Sequence, residues 1–287
     1  MSALPALRAA LAEGRPAIFV RVDTARGSTP REVGAFMLVT VDDASGTVGG
    51  GALEMEAIVE ARRLLAAGEA RSDLAIPLGP AIGQCCGGHV GLGLRRLDAA
   101  LLAEMEALEA RERDAWPSVF LFGAGHTGQA LAQALAPLPL RTIVVDTRAD
   151  RLAALPAGPE RRLRALPEAE IAGAPKGSAF VVMTHDHALD FLIAAEALRR
   201  ADAAYVGMIG SATKRETFRR RLTEAGGGAL AARLTLPIGG ARVRDKRPAV
   251  IAALAAAEIL TAILSTAEEN RCSGFALVQN ECNNPDG

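Results

Sequence analysis

Apolar positions repeat with two different rhythms along this chain, and the change falls near residue 115. Leucines and alanines at helical spacing over 4–13 predict a helix, and the run Ala17-Ile18-Phe19-Val20-Arg21-Val22 predicts a strand. The turn-rich Ala25-Arg26-Gly27-Ser28-Thr29-Pro30-Arg31 leads to a second strand over 35–41, and Asp42-Asp43-Ala44-Ser45-Gly46 signals a hairpin into Thr47-Val48. Gly49-Gly50-Gly51 then opens a segment whose apolar spacing predicts a helix ending near Gly68. Short strands over 75–78 and 90–94 and a charged helix over 99–113 bring the chain to Trp116-Pro117, read as a domain boundary.

From Ser118 strand and helix alternate. Val119-Phe120-Leu121-Phe122 reads as a buried strand, followed by Gly123-Ala124-Gly125-His126-Thr127-Gly128, a helix over 129–136 and the strand Thr142-Ile143-Val144-Val145-Asp146. Further strands are expected over 179–183, 204–209 and 234–236, between helices over 188–200, 214–225 and 248–265. Such alternation predicts a doubly wound parallel sheet. The expected class is therefore α/β. A small glycine-rich N-terminal α/β domain over 1–115 precedes a Rossmann-like doubly wound parallel-sheet domain over 116–266, and residues 267–287 form a C-terminal tail.

Composition narrows the function classes. The 32 basic and 33 acidic residues nearly cancel and aromatics make up 3%, so neither a phosphate-backbone field nor a base-stacking platform is present, and nucleic acid is not expected as a partner. The N-terminus lacks a basic region followed by a long apolar core, which predicts a cytoplasmic protein. The apolar stretch over 249–264 is interrupted by Glu258 and is short for a bilayer, so a buried or subunit-interface helix is expected and no membrane.

The candidate chemistry is concentrated in loops. Ile82-Gly83-Gln84-Cys85-Cys86-Gly87-Gly88-His89 holds two of the four cysteines between glycines that allow close backbone approach. A structural zinc site is disfavoured, because Cys272 and Cys282 lie ten residues apart with no CxxC pair, and His89 with Cys86 makes only two ligands. Burial as small hydrophobes is the ordinary role of such cysteines; a soft-metal or thiolate-exchange role stays open. The triple glycine before a helix is an anion-site candidate. Asp146 lies 18 residues after Gly128, where a Rossmann unit holds a ribose. His126, the segment Thr184-His185-Asp186-His187, and Lys214 with Arg215 all follow strands and are expected to face one cleft, the last two holding a phosphate with the loop amides. An ordinary role competes for each: His126 as filler beside the glycine turn, His185 and His187 as local caps, Asp190 as the start of a helix.

Taken together, Gly27-Ser28-Thr29-Pro30-Arg31, Gly49-Gly50-Gly51-Ala52-Leu53-Glu54, Gly83-Gln84-Cys85-Cys86-Gly87-Gly88, Phe122-Gly123-Ala124-Gly125-His126-Thr127-Gly128 and Pro237-Ile238-Gly239 closely resemble the XdhC/CoxI family, accessory proteins of xanthine dehydrogenase and related molybdenum hydroxylases. The resemblance extends from about residue 15 to 265. It implies a factor that carries molybdenum cofactor in its molybdopterin form as cargo, protects it, supports its sulfuration and inserts it into apo xanthine dehydrogenase. It also implies a homodimer and a sulfur donor such as a cysteine desulfurase. The cofactor-binding candidates are then Cys85 and Cys86, as molybdenum ligands, with Gly49, Gly50, Gly51, Glu54, Gly123, Gly125, His126, Gly128, Asp146, His185 and Lys214. Two other classes compete. One is an NAD(P)-dependent oxidoreductase using His126, His185 or His187 as acid and Asp146 on the ribose; the other is an assembly scaffold that binds no small ligand.

Overall fold

Two sheets organise the chain, one in each of the two units into which its contacts divide it, Met1–Asp114 and Ala115–Gly287. The computed structural model describes residues 3–79, 87–240 and 245–281, with side chains to residue 266.

The first unit runs α1 (Leu4–Ala12), β1 (Ala17–Arg26), β2 (Phe36–Thr40), β3 (Ala44–Gly46), α2 (Gly51–Ala67), β4 (Arg71–Pro77), β5 (His89–Arg96) and α3 (Ala99–Asp114). Its antiparallel strands lie in the order β3-β2-β1-β5-β4. Successive strand residues point to opposite faces, so Ile18, Val20 and Val22 enter one core with Leu53, Ala57, Ala61 and Leu64 of α2. Ala17 and Phe19 enter the other, with Leu4, Leu7 and Ala10 of α1 and Leu101 of α3. Three layers result, with the sheet in the middle. The hairpin forms one step earlier than its expected arm, since Ala44, Ser45 and Gly46, not Thr47 and Val48, pair with β2. β1 and β4 outrun their apolar cores because ladder pairing carries them through exposed positions such as Thr24, opposite Gly91, and Arg71, opposite Arg95.

The second unit runs β6 (Ser118–Phe122), α4 (His126–Leu135), β7 (Arg141–Asp146), α5 (Ala149–Ala153), β8 (Glu160–Leu163), α6 (Ala169–Ala172), β9 (Ala179–Val182), α7 (His187–Arg199), β10 (Tyr205–Met208), α8 (Ala212–Glu224), β11 (Leu234–Thr235) and α9 (Pro248–Glu281). All its strand pairings are parallel, in the order β11-β10-β9-β6-β7-β8. That is the Rossmann order, with the winding reversing between β6 and β9, the switch point where ligands bind in such sheets. Val119, Leu121, Val144 and Val181 face α4 and α9. Phe120, Phe122, Ile143, Val145 and Phe180 face α7 and α8.

Two departures from the sequence expectation have plain causes. β8, Glu-Arg-Arg-Leu, shows no apolar run, because as an edge strand it is held by parallel pairing to β7 and by ion pairs such as Arg141 with Glu160 at 2.7 Å. α9 continues beyond residue 265 to Glu281, so much of the expected tail is helical. Its Pro248–Thr266 part is long and apolar enough to cross a membrane by length and composition, with mean hydropathy 2.0. Ala252, Ala255, Ile259 and Ile263 of this part are buried in the core beside the sheet, and 28% of the stretch is buried. Cys282 and the terminal Asn283-Asn284-Pro285-Asp286-Gly287 lie outside the described residues.

Candidate functional site

The segment 80–86, with Cys85 and Cys86, lies outside the described residues, but its two anchors are within them. β4 and β5 pair antiparallel up to Pro77 opposite His89, and the Leu78 amide donates to the Gly88 carbonyl at 2.8 Å, so the cysteine segment connects neighbouring strands. Gly87 bridges to Ser28. A Cβ at Gly88 would come within 2.3 Å of the Ser28 carbonyl oxygen and 2.8 Å of that of Arg26, so only glycine lets these main chains meet. On the other side, a Cβ at Gly49 would lie 2.5 Å from Pro30 Cγ. Three motifs distant in sequence thus share one corner of the first unit. Arg26, opposite His89 in the ladder, and Arg31 are exposed there and make no ion pair among the described residues.

Two amides of the triple glycine, those of Gly49 and Gly50, are taken by the chain itself. The Gly50, Val48 and Gly49 amides donate to Glu54 Oε1 at 2.8, 3.2 and 3.3 Å, and the Thr47 hydroxyl donates to the same oxygen. This is a helix start closed by its own carboxylate, four positions past the glycine N-cap. Burial pushes the Glu54 carboxyl up, but the Thr47 hydroxyl and the three amides outweigh it and hold the group below the usual carboxylate range.

In the second unit, Gly123 has φ +115°, and a Cβ there would stand 2.3 Å from the Met183 carbonyl oxygen. A Cβ at Gly128 would stand 2.0 Å from the Gly123 carbonyl oxygen, so the pair sets how closely α4 approaches the strand ends. The helix begins at His126 rather than at residue 129, because the last three motif residues form its first turn. Space opens where a side chain at Gly125 would be. Gly125, His126, Gly128 and His185 line one cleft of about 300 Å³, together with Arg148 and Arg151.

Asp146, expected on a ribose, is 4% exposed and turned into the protein. Its Oδ2 accepts from the Ala124 amide at 2.7 Å and Arg148 Nη2 at 3.0 Å; its Oδ1 accepts from the Arg148 amide at 2.9 Å and Arg148 Nε at 3.0 Å. Burial pushes this carboxyl up, yet the guanidinium and the two amides more than compensate and hold it low.

Lys214 is not directed into the glycine-loop cleft. Its ammonium donates to the Asp190 carboxylate and to the Ile209 carbonyl at 3.0 Å, with only 9% and 2% of the two side chains exposed. Asp190 also accepts from the Thr184 amide at 2.9 Å and the Thr184 hydroxyl at 2.7 Å. A buried carboxylate requires a counter-charge, and Lys214 supplies it. Lys214 lines a neighbouring cleft with His187, Phe191 and Arg221, while Ile209, just after β10, lines the first. Arg148 and Arg151 are cleft residues that motif reading passes over, and Asp190, weighed above only as the start of a helix, is the buried partner of Lys214. A clue lay in Asp190, an acid at an apolar position of a helix start, and in Arg148, two residues after the acid ending a strand.

Among the described residues no group of three or more histidines, cysteines and acids is placed to hold a metal. No curated protein matches the chain. A solved structure described as a xanthine dehydrogenase from Bacillus halodurans is similar in fold, with a TM-score of 0.69 over 92% of this chain and 96% of that one, at 17% identity. A family model described as the XdhC Rossmann domain matches residues 119–259, and one described as the XdhC and CoxI family matches residues 10–75. With one match in each unit, on the glycine motifs whose geometry is given above, this chain belongs to the XdhC and CoxI family.

Proposed function

We propose that this protein is a maturation factor for xanthine dehydrogenase that carries molybdenum cofactor as cargo, supports its sulfuration and delivers it to the apoenzyme. The observation that carries the reading is the junction of Ser28 with Gly87 and Gly88, directly beside Cys85 and Cys86 in sequence, where main chains meet without side chains between them. A corner of that kind lets a planar, anionic ligand approach the backbone. Thiolates are the metal-binding form of cysteine and suit a soft metal, and nearby cations such as Arg26 and Arg31 favour both thiolate and anionic cargo. Cys85 and Cys86 are the groups assigned to the molybdenum.

The remaining parts of the reading follow from the family: a homodimer, a cytoplasmic setting, a sulfur donor such as a cysteine desulfurase, and transfer without turnover of a substrate. The test is reconstitution of apo xanthine dehydrogenase under anaerobic conditions with limiting cofactor. Preloaded protein is expected to raise recovered activity, and Cys85→Ala with Cys86→Ala is expected to abolish the gain while the fold persists. Recovery as high without the protein, or with the folded double variant, would overturn the assignment.

A further inference from the structure

Asp146 stands at the end of β7, where a Rossmann domain places the carboxylate that holds a ribose diol. Here that carboxylate has no capacity left. A carboxylate accepts about four hydrogen bonds, and the Ala124 amide, the Arg148 amide and two guanidinium N–H groups of Arg148 supply four. The same bonds fix Arg148 in the cleft wall with its remaining N–H groups unspent and 31% of its side chain exposed. Arg151, on α5, lines the same cleft, and its one ion partner among the described residues is the exposed Asp150 at 3.5 Å. Among the described residues two guanidiniums and two imidazoles line the space beside Gly125, and no carboxylate does.

We propose that this cleft is a phosphomonoester site in which Arg148, positioned by Asp146, selects a dianionic phosphate at the place where other Rossmann domains hold a ribose diol. Two molecules could bring that group: a nicotinamide dinucleotide with a 2′-phosphate, and molybdopterin with its terminal phosphate. The first stands apart from the maturation reading; the second rests on it.

Two matched pairs of probes test the site on the full chain, each differing by one phosphomonoester: NADP+ against NAD+, and molybdenum cofactor against the same cofactor after phosphatase treatment. In at least one pair the phosphorylated member is expected to bind about tenfold tighter or more, the scale of charge-assisted hydrogen bonds to a guanidinium. Arg148→Ala is expected to remove that gap. Because this variant also strips Asp146 of its partner, Arg151→Ala serves beside it and is expected to narrow the gap about threefold, as for a partly exposed charge. The pair that discriminates identifies the source of the phosphate. Equal affinity within both pairs, no binding of any probe, or a gap that survives both substitutions would overturn the proposal. Molybdenum retention without discrimination would leave the maturation reading standing and remove this one. Discrimination between NADP+ and NAD+ without molybdenum retention would do the reverse.

Discussion

Two glycine-rich loops open a helix in this chain, one in each unit, and they differ in what meets their amides. At the start of α2 the chain supplies its own anion, since Glu54 reaches back to the Val48, Gly49 and Gly50 amides. At the start of α4 the Gly125 N-cap has no side-chain cap, and of the loop amides that of Ala124 donates to Asp146, whose carboxylate also holds Arg148. A helix start behind glycines is an anion site only where the chain leaves it open. One loop is closed by its own carboxylate, and the other has an uncapped helix start.

The contrast can be broken at several points. The largest effect is expected behind the open loop, where Asp190→Ala leaves Lys214 as an unpaired buried charge and should cost about 3–5 kcal/mol. Denaturant unfolding measures the loss, and Asp190→Leu combined with Lys214→Met should recover much of it. Next, Gly123→Ala places a Cβ against the Met183 carbonyl in a left-handed conformation and should cost about 1–3 kcal/mol or more from overpacking and strain. The same change at Gly125 meets no atom within 4 Å and should leave the melting temperature unchanged while lowering phosphate affinity.

A smaller loss, about 1–2 kcal/mol, is expected for Glu54→Ala, which orphans amides at a helix start. It should also convert the closed loop into an open one, so that sulfate raises the melting temperature of the variant more than that of the wild type. An equal response in both would show that the two loops do not differ as described. The smallest effect concerns pH. Glu54 and Asp146 both have lowered folded-state pKa values, so their stabilisation is complete above the unfolded carboxyl value near 4 and is lost as pH falls through the folded values. Unfolding midpoints followed below about pH 4 should decline less steeply in Glu54→Ala than in the wild type.

Much of this was legible in the residues. The alternation of β6, α4 and β7 around Gly123-Ala124-Gly125-His126-Thr127-Gly128 announces a Rossmann unit, because each of these strands carries a short apolar run, Val119 to Phe122 and Ile143 to Val145, near turn signals. Charge hid β8, which is held by pairing to β7 and by ion pairs of Glu160 and Arg162. The site was legible as a set of motifs but not as a geometry. Sequence places Lys214 after a strand end as a phosphate ligand, and cannot show that Asp190, 24 residues earlier, claims it first. Nor does it show that Glu54 fills the loop it follows, or that Asp146 serves an arginine rather than a ribose. In each case the competing group is a charged side chain satisfied within the fold, by residues four to seven positions away at Glu54 and by partners 22 and 24 positions apart for Asp146 with Ala124 and Lys214 with Asp190.

The central claim is that the cysteine-bearing protein holds molybdenum cofactor. Anaerobic incubation of the full chain with the cofactor, rapid desalting, and assay of bound molybdenum and oxidised pterin fluorescence test it directly. The account predicts that metal and pterin are retained together, in constant ratio to protein, and that both are lost when Cys85 and Cys86 are replaced by alanine. Retention of neither by the wild-type protein, or undiminished retention by the folded double variant, would contradict it.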